Sequence, residues 1–277
     1  MSFIFLLCAG VLPVLAKIGL CTAIEQVRPI ERYSLKARLP GVVMNVLLTV
    51  LTAALIVPTG LLLDAVGMRP LVTIPLWSLL APLGTAGLAI QGLVLLALID
   101  FLSYWRHRAE HRWFWPIHAL HHAPTELHAA NDVGHPVQIF LSVLFITIPL
   151  SLVEVDGPAT PVAMTFVVAL MSYAIHSPID VHFGPLRKLF VDNRFHRIHH
   201  SLEERHFDRN FGIWLSVWDR MFGTAYEPAA EEWPEVGVAG LTMPQSIGEY
   251  LAYPLQVARA EGEPNVRPER PLAAIRD

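Results

Sequence analysis

Three histidines fall within five residues in "FHRIHHS" (195–201), and the same spacing recurs in "HALHH" (118–122). On an α-helix, positions i, i+3 and i+4 share a face. His196, His199 and His200 would form one such face, and His118, His121 and His122 another. "DFLSYWRHRAEH" adds His107 and His111, four residues apart. Burying so many imidazoles costs free energy unless something satisfies them, and neutral imidazole is the commonest metal ligand. Eight or more ligands exceed what one ion can use, so two ions are implied. Within each HxxHH the vicinal histidines point in different directions and can serve different ions. A donor set that is nearly all nitrogen suits Fe, Zn or Cu better than Mg or Ca. Asp100 and Tyr104 share the stripe of His107 and His111. Asp100 is thereby placed to accept a hydrogen bond from the site, with capping or an arginine partner as the alternative.

The elements that carry these clusters follow from composition. The chain is 53% hydrophobic and 16% charged, against about 25% charged in a soluble domain, and its mean hydropathy is +0.46. This is the composition of a membrane protein. A formal net charge of −4 with no basic block excludes nucleic acid as a partner. The only cysteines, Cys8 and Cys21, lie in the first apolar stretch, so no disulfide framework, cysteine zinc site or thiolate nucleophile is indicated. The N-terminus lacks a basic leader and carries Lys17 late, which favours a retained membrane helix over a cleaved signal.

Apolar segments recur at 3–24, 41–63, 86–106, 137–153 and 160–176, the first three long enough to span a bilayer. The last two read as a hairpin about "EVDGPAT", spanning when tilted or dipping partway. The stretch 71–84, broken by Pro75 and Pro82, reads as interfacial or re-entrant, with a sixth span as the alternative. Basic residues set the orientation. Arg28, Arg32, Lys36 and Arg38 follow the first helix, Arg106, Arg108 and Arg112 the third, and Arg187, Lys188, Arg194 and Arg197 the hairpin. All thirteen histidines then fall on the cytoplasmic side. The expected architecture is an all-α, multi-pass membrane bundle of about 4–6 membrane helices. A cytoplasmic, histidine-rich helical cap would hold a di-metal site.

In order and spacing, "DFLSYWRHRAEH", "HALHHAPTELHAANDVGHP", "YAIHS", "FHRIHHS" and "RNFGIWLSVWDRMFGT" resemble the fatty acid hydroxylase / sterol desaturase superfamily of membrane di-iron oxygenases. The resemblance covers about residues 94–226. It divides the chain into N-terminal membrane helices (1–93), a catalytic domain (94–226) and a cytoplasmic C-terminal tail without a catalytic motif (227–277). It implies that His107, His111, His118, His121, His122, His196, His199 and His200 are metal ligands. His176, in "IHS", matches a further family histidine, and His135, in "GHP", sits where many members have one. It also implies two iron ions, replaceable by zinc on purification, and O₂ as co-substrate. The reaction implied is hydroxylation or desaturation of a fatty acyl, sterol or related isoprenoid C–H bond.

An ether-lipid monooxygenase or carotenoid hydroxylase of the same fold is one alternative, and a non-oxidative zinc enzyme another. A metal-ion transport or binding protein is the alternative from a different class, and would place ligands on broken helices at mid-membrane. Neither a GxGxxG nor a CxxCH motif is present. Electrons would come from a separate reductase, ferredoxin or cytochrome, and Arg187, Lys188, Arg194 and Arg197 could dock it if they are more than positive-inside bias. His128, His182 and His206 match no family position and read as exposed loop residues. Phe211, Trp214, Leu215, Trp218 and Phe222 form an expected helical stripe, either at the membrane interface or packed on the bundle. Asp208, Asn210 and Asp219 are further groups able to orient ligand histidines.

Overall fold

The computed structural model describes residues 3–181 and 183–261. Three of its helices are long and apolar enough to cross a membrane: α1 (Phe3–Val27), α2 (Leu39–Ala65) and α4 (Thr85–Trp113). At 1.5 Å per residue, α2 and α4 each run about 40 Å, more than a hydrocarbon core needs. Between them lie strand β1 (Val72–Ile74) and the short helix α3 (Leu76–Leu80). The stretch broken by Pro75 and Pro82 thus holds only short elements, none long enough to cross a bilayer by itself.

The hairpin rises as α6 (Gln138–Ser142), a π-helical turn (Val143–Thr147) and α7 (Ile148–Ser151). Pro149 cannot donate, and its ring crowds the carbonyl one turn back, which accounts for the widened turn before it. Strand β2 (Val153–Val155) follows, and α8 (Val162–Ile175) returns. β1 and β2 pair in parallel, Thr73 opposite Glu154, a small departure from the all-α expectation. Asp156 accepts from the N–H groups of Trp77 (2.6 Å) and Ser78 (3.1 Å). The N-terminus of α3 is thus tied to the hairpin turn, at the end of the bundle opposite the histidines.

At the histidine end, helices stop and start abruptly. α4 ends at Trp113, and α5 (Trp115–His122) begins with Pro116 in its first turn, where a missing N–H costs nothing. α9 (Asn193–His199) is capped by Asp192, whose Oδ1 accepts from Phe195 N–H at 3.0 Å. The turn Ala129–Asn131 wedges among α1, α2 and α8, with Ala129, Ala130, Val14, Ile18 and Tyr173 in one buried cluster. Gly41 permits this approach, because a Cβ there would sit 2.1 Å from Ala130 O. Asn45 donates to that same oxygen at 3.1 Å. A buried Glu25–Arg38 ion pair joins the end of α1 to the turn before α2.

The described residues after 226, up to Glu261, pack back on the bundle. α10 (Val217–Met221) is followed by an irregular stretch, and then by α11 (Ile247–Glu261). Tyr250, Tyr253 and Val257 of α11 are buried against Met44, Ala119, Leu120, Ala123, Val133 and Val238. Within the segment expected as a tail, α11 is therefore a brace behind α5, the helix that carries "HALHH".

Candidate metal centre

Nine histidines converge in two adjoining groups. His107, His111, His118, His122 and His199 form one, and His121, His176, His196 and His200 the other. Within each group the available ring nitrogens all lie within 4.8 Å of one another. The helical spacing explains the partition. In each HxxHH the i, i+4 pair serves one group (His118 with His122, His196 with His200), and the remaining histidine crosses to the other (His121, His199). α5 and α9 thus each contribute to both groups. The groups abut, the His122 and His200 ring centroids being 4.5 Å apart.

The outer ring nitrogens settle which lone pairs face inward. Nδ1 of His107 donates to Phe211 O (2.9 Å), and that of His199 to Arg209 O (2.8 Å). Nδ1 of His121 donates to Val133 O (3.1 Å), and that of His176 to Ser172 O (2.7 Å). His111 Nδ1 meets Asp208 Oδ1 at 3.2 Å. A proton held on Nδ1 leaves Nε2 bare. Yet Nε2 atoms confront each other at 3.1 Å in the pairs His107–His118, His111–His122, His176–His196 and His196–His200. The buried Nε2 of His199 has no hydrogen-bond partner at all. Where Nδ1 holds its proton outward, as in His107, His121, His176 and His199, the inward Nε2 lone pair is free for a cation, which would satisfy the crowded nitrogens.

Burial, and then the neighbouring imidazoles, hold His118, His122, His196 and His200 far below the usual histidine range. Burial does the same for His199, and it brings His121 down to about 4, with His176 the next cause. These six rings are therefore neutral at pH 7, the form that binds metal. The all-nitrogen donor set suits Fe or Zn.

Several partners were not legible in the spacing. Glu110 is fully buried, and its Oε2 lies 2.9 Å from His118 Nδ1. The Gln138 side chain approaches the same nitrogen at 3.0 Å. Residues 208–211 supply the outer contacts of three histidines in the five-membered group, through Asp208 Oδ1, Arg209 O and Phe211 O. Asp208 and Asn210 hold positive φ (55° and 58°), which turns these groups toward the site. Asn210 locks the loop by donating to Phe195 O (2.8 Å) and Tyr226 O (3.0 Å). Asp219 accepts from the N–H groups of Phe211 and Gly212, both at 2.8 Å.

Other expectations need correction. Asp100 hydrogen-bonds to no histidine among the described residues. It accepts from Trp214 N–H (3.1 Å), Leu215 N–H (3.0 Å) and Trp218 Nε1–H (2.9 Å), fastening that segment to α4. His135 joins neither group, and its Nε2 lies 3.3 Å from Leu251 O of α11. His128 and His206 are fully buried rather than exposed. His128 Nε2 meets Asn131 Nδ2, and His206 bridges Ser201 Oγ (2.8 Å) and Glu232 Oε1 (3.1 Å). His182 lies outside the described residues. The aromatic stripe is helical only over Val217–Met221, and Phe211, Trp214 and Leu215 are buried in the bundle. Arg187, Arg194 and Arg197 pair with Asp192, Asp180 and Glu31, which weakens the docking surface imagined for them.

A cavity of about 320 Å³ opens beside the two groups. His107, His118, His121, His176 and His196 line it, together with Leu48 and Thr52 of α2, Ile139 and Ser142 of α6, and Ile175 and Ile213.

Comparison with known proteins agrees with the motifs. Residues 92–224 match the family model described as fatty acid hydroxylase. The chain is 31% identical over 158 residues to an ornithine lipid hydroxylase of Rhizobium tropici, covering 55% of this chain and 47% of that one. It is 31% identical over 149 residues to the alkylglycerol monooxygenase of Homo sapiens, covering 53% and 32%. It is 28% identical over 170 residues to a very-long-chain aldehyde decarbonylase of Oryza sativa subsp. indica, covering 57% and 25%. The matched region thus spans less than half the length of each of these relatives. No solved structure matches the chain.

Proposed function

We propose that the chain, whose residues 92–224 match the fatty acid hydroxylase family model, is a membrane-bound, O₂-dependent oxidoreductase that hydroxylates or desaturates a lipid C–H bond. The observation that carries this reading is the pair of buried imidazole groups, five and four rings whose nitrogens converge, at the end of a membrane helix. The five-membered group would hold one iron and the four-membered group a second, with electrons from a separate donor. Iron held by these histidines would supply activation of O₂ and removal of hydrogen from an unactivated carbon.

The chain's own residues place the substrate. Leu48 and Thr52, nine and thirteen residues beyond Leu39, lie about 14 and 20 Å along α2. The cavity therefore descends from the histidines alongside helices that face lipid, and an acyl or isoprenoid chain can enter without leaving the bilayer. Leu48, Ile139, Ile175 and Ile213 give it apolar walls. Arg106, at the histidine end, has its charge balanced by Glu110 at 2.8 Å. The transporter alternative lacks support, because the ligands sit at helix ends rather than at mid-membrane.

Lipids extracted from host cells with and without the gene, grown iron-replete under ¹⁸O₂, test the function. The expected result is a lipid species that gains one labelled oxygen or loses two hydrogens. Identical lipid profiles, with the protein present and loaded with iron, would exclude the reading.

We place the histidine end on the cytoplasmic side, on the strength of Arg28, Arg32 and Lys36 beside it and β1–β2 at the opposite end. With Cys8 and Cys21 removed, a cysteine at exposed Glu154 should label from outside and one at exposed Ala229 only after permeabilisation. Labelling of position 229 from outside overturns the orientation.

A further inference from the structure

A second cavity, of about 610 Å³, lies apart from the histidines, between the start of α2 and the start of α11. We propose that it binds an anionic glycerophospholipid that is not the substrate, with the phosphate at Lys36 and an acyl chain along α2.

Position is the first argument. Lys36 opens the apolar segment Lys36–Ala65, so the cavity straddles the level where a spanning helix leaves the headgroups. Its lining divides accordingly. Ser34, Lys36 and Ser246 supply polar groups, while Leu39 and Val43, one turn apart on α2, supply an apolar wall. Leu39 and Val43 remain 60% and 41% exposed, so nothing among the described residues covers that wall.

Charge is the second. Lys36 is exposed and makes no ion pair among the described residues, and the same holds for Arg28 and Arg32 on the same loop. The nearby carboxylates are engaged elsewhere, Glu25 with Arg38 and Glu31 with Arg197. Glu249, in the first turn of α11, turns its Oε2 onto Gln245 N–H at 2.8 Å. A basic loop at headgroup depth attracts anionic lipid.

The third is an unmet hydrogen bond. Tyr250 lines the cavity, is 2% exposed, and its Oη has no partner. A buried hydroxyl left so is costly, and a phosphate or ester oxygen would satisfy it. Continuity with the membrane is the fourth. Ile247, Leu251 and Leu255, spaced by four on α11, are 46%, 49% and 62% exposed, a stripe fit to lie on the bilayer surface. The opposite face of α11 packs on α5, so a lipid here would steady the helix that carries His118, His121 and His122.

The test needs neither metal nor turnover, and its outcome is independent of the function proposed above. The full chain is placed in nanodiscs of phosphatidylcholine, with or without one-third phosphatidylglycerol. It is then released into mild detergent for native mass spectrometry, and its unfolding midpoint is recorded. Wild type should retain one phosphatidylglycerol per chain and unfold at a higher temperature with it. Lys36→Glu should retain at least fivefold less, and so should Tyr250→Phe, which keeps the ring and removes only the hydroxyl. Arg69→Glu, an exposed change at the opposite end of α2, should match wild type. Equal retention by wild type and both cavity variants overturns the proposal, as does equal retention of phosphatidylcholine. If soluble glycerol phosphate raises the midpoint as much as the lipid does, the site takes free phosphate and the lipid assignment fails.

Discussion

Replacing His200 with alanine should abolish lipid oxidation and leave at most one iron per chain. His200 belongs to the four-membered group, so its loss leaves three imidazoles there. Groups that merely orient a ligand are worth about 10–100-fold in metal affinity or activity, so removal of a ligand should exceed about 100-fold. His199→Ala should abolish oxidation as well, but it draws on the five-membered group and leaves four imidazoles behind. Its iron content should therefore fall less than that of His200→Ala. Metal analysis of anaerobically prepared protein, read beside product formation, separates the two variants. Two irons and wild-type turnover in His200→Ala would remove the four-membered group from the chemistry.

Asp219→Ala should be destabilising, and Asp219→Asn should weaken iron binding about 10–100-fold while leaving the fold in place. The Asp219 carboxylate accepts from Phe211 N–H and Gly212 N–H at 2.8 Å and from Thr224 Oγ1–H at 2.6 Å. Alanine strands three buried donors, at about 1–3 kcal/mol each, so a loss of about 3 kcal/mol or more is expected in the unfolding free energy. Asparagine keeps the shape but presents an amide N–H₂ to part of this donor set. The loop then loosens where Phe211 O holds His107 and Arg209 O holds His199. Gly212 belongs to the same device, since a Cβ there would lie 2.6 Å from Leu215 O and 2.9 Å from Asp219 Oδ2. An iron titration distinguishes positioning from folding. If Asp219→Asn binds iron as tightly as wild type, the loop does not position the ligands.

The spacing rules carried the helices and the convergence of the histidines, because an i, i+4 pair on a helix must point one way. They carried less of what surrounds the rings. Asp100 shares a stripe with His107 and His111, yet a stripe names a face and not a neighbour, and that part of the face meets residues 214–218. His128 and His206 looked like loop residues, but burial of a polar ring is decided by partners distant in sequence, such as Glu232 for His206. α11 could have been found. Tyr250, Tyr253 and Val257 fall at i, i+3 and i+7, the spacing of a buried helical face, within the region expected only as a tail without a catalytic motif. The π-turn before Pro149 and the β1–β2 pair are local responses to packing that hydropathy alone does not encode.

Four of the nine converging rings are steered by main-chain oxygens, those of Val133, Ser172, Arg209 and Phe211. A carbonyl is the same group whatever side chain its residue bears. These positions can drift in identity over generations without disturbing the imidazoles, provided the chain keeps its path. Selection then acts on the path itself: on Asn210, which pins the loop from within, and on Gly212, where the backbone needs room. Asp208, Glu110 and Gln138 reach a ring with a side chain, so a single missense change can erase those contacts directly. Much of the centre's tolerance to sequence change is therefore written in backbone geometry, where an alignment would show little.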